Sequence, residues 1–443
     1  MYYGMFRLRQ AKTCRGQTAI VRSEYCLMDE SVWLDLYRNV GVPVLDGVVT
    51  GFNANSDQII TVTRELLGSA LLRSPDLAEL RSRLVSSMER CTAEEWFVAD
   101  PIQYGKFVQA FFGTGSSAVG GQAGIAAEHL AGLGASGVIC IAPAIGPETA
   151  GRLSTAGVFV FPPGESRGPA YDLPHLIFEY EPGLVPVADG IIPRSNRFIV
   201  SPVHPPASAL VPESSMEPFL KRISSCSRAF FSGYQYLVSD RDFSRTASQI
   251  NRIKMAGPGL RVHIECVTVS NPVVLQGFTR HILPVADSMG LNEHEFSLVA
   301  GYLDTGNLSG QDDSRTPINI IEDAVALCQK TGLKRLHLHT FGHYLLVLAK
   351  NPVVDPEISR NALLYAAVRV AAAAQGTSTQ VSPDGLAVLD QVDGRFGPWQ
   401  SPGIFCVEGF FVIVIPTLIA QNITKTSGLG DILSSTAFVA DRF

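Results

Sequence analysis

The feature that most constrains the fold of this chain is a regular alternation of short apolar runs with stretches of helical periodicity. The runs at 42–53, 137–142, 158–162, 229–232, 260–269, 335–340 and 410–415 read as strands. Helical periodicity covers 122–133, 147–155, 216–225, 243–255, 273–289, 292–303, 318–331 and 359–374. Alternation of this kind predicts an α/β fold with a mainly parallel sheet and helices on both faces. The longest apolar stretch, 404–420, is broken by Glu408, Gly409 and Pro416, so it reads as two buried strands and not as a membrane span.

Two regions interrupt the alternation. Residues 58–119 and 156–200 carry more aromatic, proline and charged residues, and the second holds a period-2 run, His175-Leu-Ile-Phe-Glu-Tyr-Glu181. These stretches are expected to form a smaller, discontinuous, β-rich lid. The chain has 443 residues, 46% of them hydrophobic, so it can bury either two cores or one large layered domain. A net charge of −6 with no long basic run argues against nucleic acid as a partner. The eight cysteines form no CxxC and no close pair, which predicts reduced, buried thiols in a cytoplasmic protein and no zinc framework. Residues 1–27 are basic at the start and lack a continuous apolar segment; they read as an extension, with the working domain at 28–443.

Six constellations carry candidate chemistry. The tail Ser427-Gly-Leu-Gly-Asp431 places two glycines just before an acid and a helix. The first amides of such a helix suit an anion, and Asp431 could take a proton from a hydroxyl; the bland reading is an N-cap. His263 and Glu265 lie two apart on a strand and share a face, as a ligand-holding pair or a satisfied acid. Asn292 and Glu295 are three apart at a helix start, as magnesium-type oxygen ligands, as a capping box, or as both. Asn55 and Asp57 end the first strand, where they could hold sugar hydroxyls or form an Asx-turn. Gly120-Gly-Gln122 opens a helix whose amides and Gln122 could meet a hydroxyl or phosphate. His337, His339 and His343 alternate near a strand end, which suits the side of an adenine pocket better than a metal site. No GxGxxG with a following acid and no Gly-x-Ser-x-Gly is present, so neither a dinucleotide fold nor a serine hydrolase is supported.

These motifs, in this order, resemble the archaeal ADP-dependent sugar kinases, the glucokinases and phosphofructokinases of the ribokinase-like superfamily. The stretches that carry the resemblance are Gly51–Asp57, Gly120–Ile125, Ser195–Ile199, Phe231–Gln235, Val262–Glu265, Gly290–Glu295, His337–Thr340 and Ser427–Ser435. The resemblance implies a three-layer α/β/α domain with a lid. It implies transfer of the β-phosphoryl of Mg-ADP to a hydroxyl of glucose or fructose 6-phosphate, with release of AMP. Asp431 would be the base, and Gly428, Leu429 and Gly430 the anion hole. Asn55, Asp57, Gly121 and Gln122 would bind the sugar, and Arg197 a phosphate. Glu265 and Glu295 would hold magnesium through waters. The chain departs from the family in having no lysine at 157–190, where Arg167 is the one permanent cation, and Glu94 or Glu95 stands for the glutamate by which glucokinases hold glucose. An ATP-dependent relative and a non-catalytic sensor are the competing readings.

Overall fold

The structure is a computed structural model. It describes residues 29–443 except 93, 144, 163–172, 184–191, 194, 205–209, 258, 268–270, 305–315, 351–354, 375–376 and 422–426, together with the short strands Ala11–Lys12 and Thr18–Ala19. The expectations for the extension and for Arg167 fall outside the described residues, apart from those two strands. The chain divides into two compact units, one of Leu45–Leu260 with Ile423–Ile432, the other of Met1–Val44, Arg261–Asn422 and Leu433–Phe443.

The Leu45–Leu260 unit holds two sheets. Strands Arg228–Phe231, Val48–Gly51, Val138–Ile141 and Val158–Phe161 pair in that order, all parallel. Val138-Ile-Cys-Ile141 is buried at every position, as a strand covered on both faces must be. The second sheet has the order Glu94–Val98, Asn196–Pro202, His175–Tyr180, Asn55–Thr61, Ser116–Gly120, with mixed pairing. Helices Ala78–Arg90 and Pro101–Ala110 cover one side of it, packing Leu80, Leu84, Met88 and Phe107 with Phe178, Phe198 and Val200. Both stretches expected as a lid contribute to this sheet, but Val158–Phe161 joins the parallel one.

In the other unit, Arg261–Glu265, Ser288–Asn292 and Arg335–His339 run parallel, and His343–Ala349, Phe410–Pro416 and Ile404–Val407 continue antiparallel. Three expectations need correction. The helix at 273–289 ends at Val285, and Ser288–Asn292 is a strand. Gly290 lies at its centre because a Cβ there would come within 2.2 Å of the Glu265 Oε2. The run 404–420 supplies three strands, not two, with Leu418–Gln421 as the third. A helix at Pro383–Phe396 escaped the periodicity, although Ser382 caps it by accepting from Gly385 N. Among the described residues no helix is long and apolar enough to cross a membrane. Cys91, Cys140, Cys226, Cys266 and Cys328 are free and buried, whereas Cys406 is disulfide-bonded, contrary to the expectation of thiols alone.

Candidate active site

The Leu45–Leu260 unit brings the sugar-type residues together. The Asn55 amide donates to Asp57 Oδ1 at 2.7 Å, and both side chains are buried at the start of their strand. Opposite them, Gly120 and Gly121 have no room for a side chain. A Cβ on Gly120 would lie 1.9 Å from Asp57 Oδ1, and one on Gly121 would lie 2.6 Å from Asn55 Oδ1. Gly121 also takes φ +72°, which favours glycine. The helix Gln122–Gly132 that follows has its first amides partly committed: Ala123 and Gly124 both donate to the Asn53 carbonyl. They are therefore taken by protein, which narrows the expected ligand contacts of this turn to Gly121 and Gln122.

The tail joins the same unit. Gly428, at φ +74°, turns the chain into the helix Leu429–Ala440, whose first turn is closed by Ile432 N donating to the Gly428 carbonyl. Asp431 is thus the third helical residue and not the N-cap, in the first turn, where the helix dipole favours negative charge. Gly430 is exposed and Gly428 and Leu429 are half-buried, so the turn is open to a ligand. Burial pushes the Asp431 carboxyl up to about 7, against the Arg197 guanidinium and a hydrogen bond from the Gln122 side chain, which pull it down. Gln122, Arg197 and Asp431 therefore converge, from a helix start, a strand and the chain's end. A carboxyl near neutrality next to a cation is suited to general base work on a hydroxyl.

The acids of the other unit are held differently. The Glu265 Oε2 is 2.9 Å from His263 Nε2 and accepts from Ser434 Oγ at 2.5 Å; His339 Nε2 lies 3.7 Å from Oε1. Burial keeps His263 neutral, so Nε2–H donates to Glu265 while Nδ1 accepts from Ser288 Oγ at 2.7 Å. Ser288 in turn accepts from Arg335, whose Nε meets Asp441 at 2.9 Å. Glu295 closes a capping box: Asn292 N donates to its Oε2 and its own N–H donates to Asn292 Oδ1, both at 2.9 Å. Burial and the charges of Glu295 and Glu265 all push the Cys266 thiol up, so the two acids share one neighbourhood. Among the described residues no three His, Cys, Asp or Glu side chains are arranged to hold a metal directly. His337 is buried, and His343 is neutral through burial, with a pKa lowered to about 4.

Sequence reasoning missed a polar group on the five-stranded sheet. Glu95 Oε1 accepts from Ser201 Oγ at 2.6 Å, Ser201 meets His175 Nδ1 at 2.9 Å, and His175 Nε2 meets His204 Nε2 at 3.0 Å. His175 is the register partner of Asp57. Asp57 and Glu95 both raise the Tyr104 and Tyr236 phenols, after burial itself, so the two acids face shared ground. The Tyr236 hydroxyl donates to Asn53 Oδ1 at 3.2 Å. The resemblance pointed to Glu94 or Glu95, and the period-2 run from His175 named a strand, but neither named the partners that join them.

Comparison with known proteins identifies the family. The profile of the ADP-specific phosphofructokinase/glucokinase conserved region matches residues 46–440. The chain is 28% identical to the ADP-dependent glucose/glucosamine kinase of Pyrococcus furiosus, over 92% of this chain and 98% of that protein. It is 25% identical to the ADP-specific phosphofructokinase of Methanosarcina acetivorans, over 90% and 94%. A solved ADP-dependent kinase in complex with fructose-6-phosphate and ADPbetaS superposes with a TM-score of 0.78 at 25% identity, covering 93% of this chain and 98% of that one. The chain belongs to the ADP-specific phosphofructokinase/glucokinase family, phosphotransferases that act on sugar hydroxyls, and has an α/β fold.

Proposed function

We propose that this protein transfers the β-phosphoryl group of Mg-ADP to a hydroxyl of an uncharged hexose of the glucose class, releasing AMP, within the cytoplasm. The observation that carries the choice of acceptor is the pair of carboxylates Asp57 and Glu95. Both lie close enough to Tyr104 and Tyr236 to raise the same phenols. Two acids favour hydroxyl or ammonium groups and repel a sugar phosphate. The lid stretch 157–190 also has no lysine to grip one.

In this reading the hexose sits on Asn55, Asp57, Gly121 and Gln122, and Glu95 accepts from one of its hydroxyls. Asp431 takes the proton of the attacking hydroxyl as the new O–P bond forms and the bond to AMP breaks. Arg197 and the amides of Gly428, Leu429 and Gly430 stabilise the charge on the transferred group, which is the main demand of phosphoryl transfer. Glu265 and Glu295 are the acids that fit magnesium, through waters, because their protein donors leave little room for direct ligation. A bound magnesium ion would neutralise charge on the phosphates.

The test is AMP release from Mg-ADP with glucose, glucosamine, fructose 6-phosphate or no acceptor, and with Mg-ATP replacing Mg-ADP. The expected result is AMP formation with glucose or glucosamine and ADP only. Preferential turnover of fructose 6-phosphate would overturn the assignment of the acceptor. Turnover with ATP would overturn the donor.

A further inference from the structure

Three strands and the segment after one of them build a single hydrogen-bonded file behind the sugar residues. It runs from Glu95 through Ser201 and His175 to His204, with contacts of 2.6, 2.9 and 3.0 Å. The proton positions along it follow from donor counting. An ionised carboxylate only accepts, so the one proton of Ser201 points at Glu95. Ser201 must then accept from His175, which places the His175 proton on Nδ1. Burial holds both imidazoles neutral, with His175 lowered to about 3 and His204 to about 4. A neutral His175 protonated at Nδ1 accepts at Nε2, so the facing proton belongs to Nε2 of His204. The His204 ring packs on Tyr236 at 4.9 Å between centroids, and Tyr236 is tied to Asn53, which fixes the far end of the file.

Glu95 is the exposed end. Its side chain is 37% accessible whereas that of His175 is 7% accessible. The protein crowded around the carboxyl raises it, and the hydrogen bond from Ser201 and the charge of Arg197 oppose that rise. The file thus keeps one oxygen of a crowded acid supplied with a proton donor and leaves Oε2 to meet the acceptor sugar.

We propose that Ser201, His175 and His204 are positioning residues for hexose selection: His204, as the terminal donor, sets the His175 tautomer, and through Ser201 that tautomer holds Glu95 as an acceptor-only group facing the sugar. The proposal rests on the hexose kinase reading and deepens it by assigning the residues hydrogen-bonded behind Glu95 to sugar recognition.

Two measurements test it. Steady-state kinetics of His204→Leu should show the KM for glucose raised about tenfold, the loss of one buried hydrogen-bonded partner, with kcat and the KM for ADP within about twofold. His204→Gln, which keeps an N–H donor, should recover most of that loss. An unchanged glucose KM in His204→Leu, or equal losses in both variants, would overturn the proposal. Imidazole nitrogen-15 spectra of the wild-type protein read the tautomers directly: Nδ1–H on His175 and Nε2–H on His204, both neutral from pH 6 to 8, are expected. The opposite tautomers or a charged imidazole would overturn it, even if the wild-type protein failed to phosphorylate any hexose and so refuted the functional reading on its own.

Discussion

Asp431 in one unit and Glu265 in the other are both acids enclosed by protein, and they are enclosed in opposite ways. The Gln122 hydrogen bond and the Arg197 charge do not offset the burial of Asp431, so its carboxyl rises to about 7. Glu265 is surrounded by His263, Ser434 and His339, and it occupies the space that a side chain at Gly290 would fill. Desolvation that outweighs its donors yields a carboxyl that exchanges a proton near neutral pH. Glu265 is instead held in place by its hydrogen bonds to His263 and Ser434. On the proposed roles, the first would serve chemistry and the second would hold a cation.

The largest expected effect removes the exchangeable proton. Asp431→Asn should lower kcat by about 10³-fold or more, the usual span of general base catalysis, while ADP binding measured by calorimetry stays intact. Substantial residual turnover would place the base elsewhere. Next is the fixed acid. Glu265→Gln should raise the magnesium concentration for half-maximal activity about 10–100-fold, and manganese titrated by electron paramagnetic resonance should bind correspondingly more weakly. Glu295→Gln should do the same while preserving the cap, because the amide oxygen still accepts from Asn292 N. An unchanged metal titration in both variants would remove them from the metal site.

The pH dependence sharpens the contrast further. A base must be ionised, so kcat/KM should rise with pH through about 7 and level off above it. The same raised carboxyl means the folded protein binds a proton more tightly than the unfolded chain, so Asp431 costs stability as pH rises from the ordinary carboxylate range through about 7. Asp431→Asn should therefore melt about 2 °C higher than wild type at pH 8, with no gain at pH 4. The smallest effect is expected at Gly428→Ala. Its Cβ would meet only the flexible Ile125 side chain at 3.0 Å, so the cost comes from φ +74°. That cost is about 1 kcal/mol of stability.

Much of the fold was legible because parallel strands buried on both faces leave continuous apolar runs, as in Val138-Ile-Cys-Ile141. Ser288–Asn292 was not legible. Its Ser-Met-Gly-Leu-Asn carries no β-branched residue, and its helical neighbour supplied the periodicity. Glycine spacing revealed the tail and the Gly120–Gly121 turn, since close backbone approach excludes other residues. The convergence of Gln122, Arg197 and Asp431 was implied only by the resemblance, because residues so far apart along the chain leave no local trace. The Glu95–Ser201–His175–His204 file was hidden for a related reason. It depends on strand register across Glu94–Val98, Asn196–Pro202 and His175–Tyr180, and register is set by pairing partners that the sequence does not name.

The central claim is an ADP-dependent transfer to an uncharged hexose with Asp431 as base. Its most direct test is the stoichiometry of AMP and hexose phosphate formed from Mg-ADP and glucose at pH 8 by the wild-type protein and by Asp431→Asn. The account expects equimolar AMP and hexose phosphate from the wild type, and neither product from a variant that still binds ADP. AMP formed without hexose phosphate, or full turnover by Asp431→Asn, would contradict it.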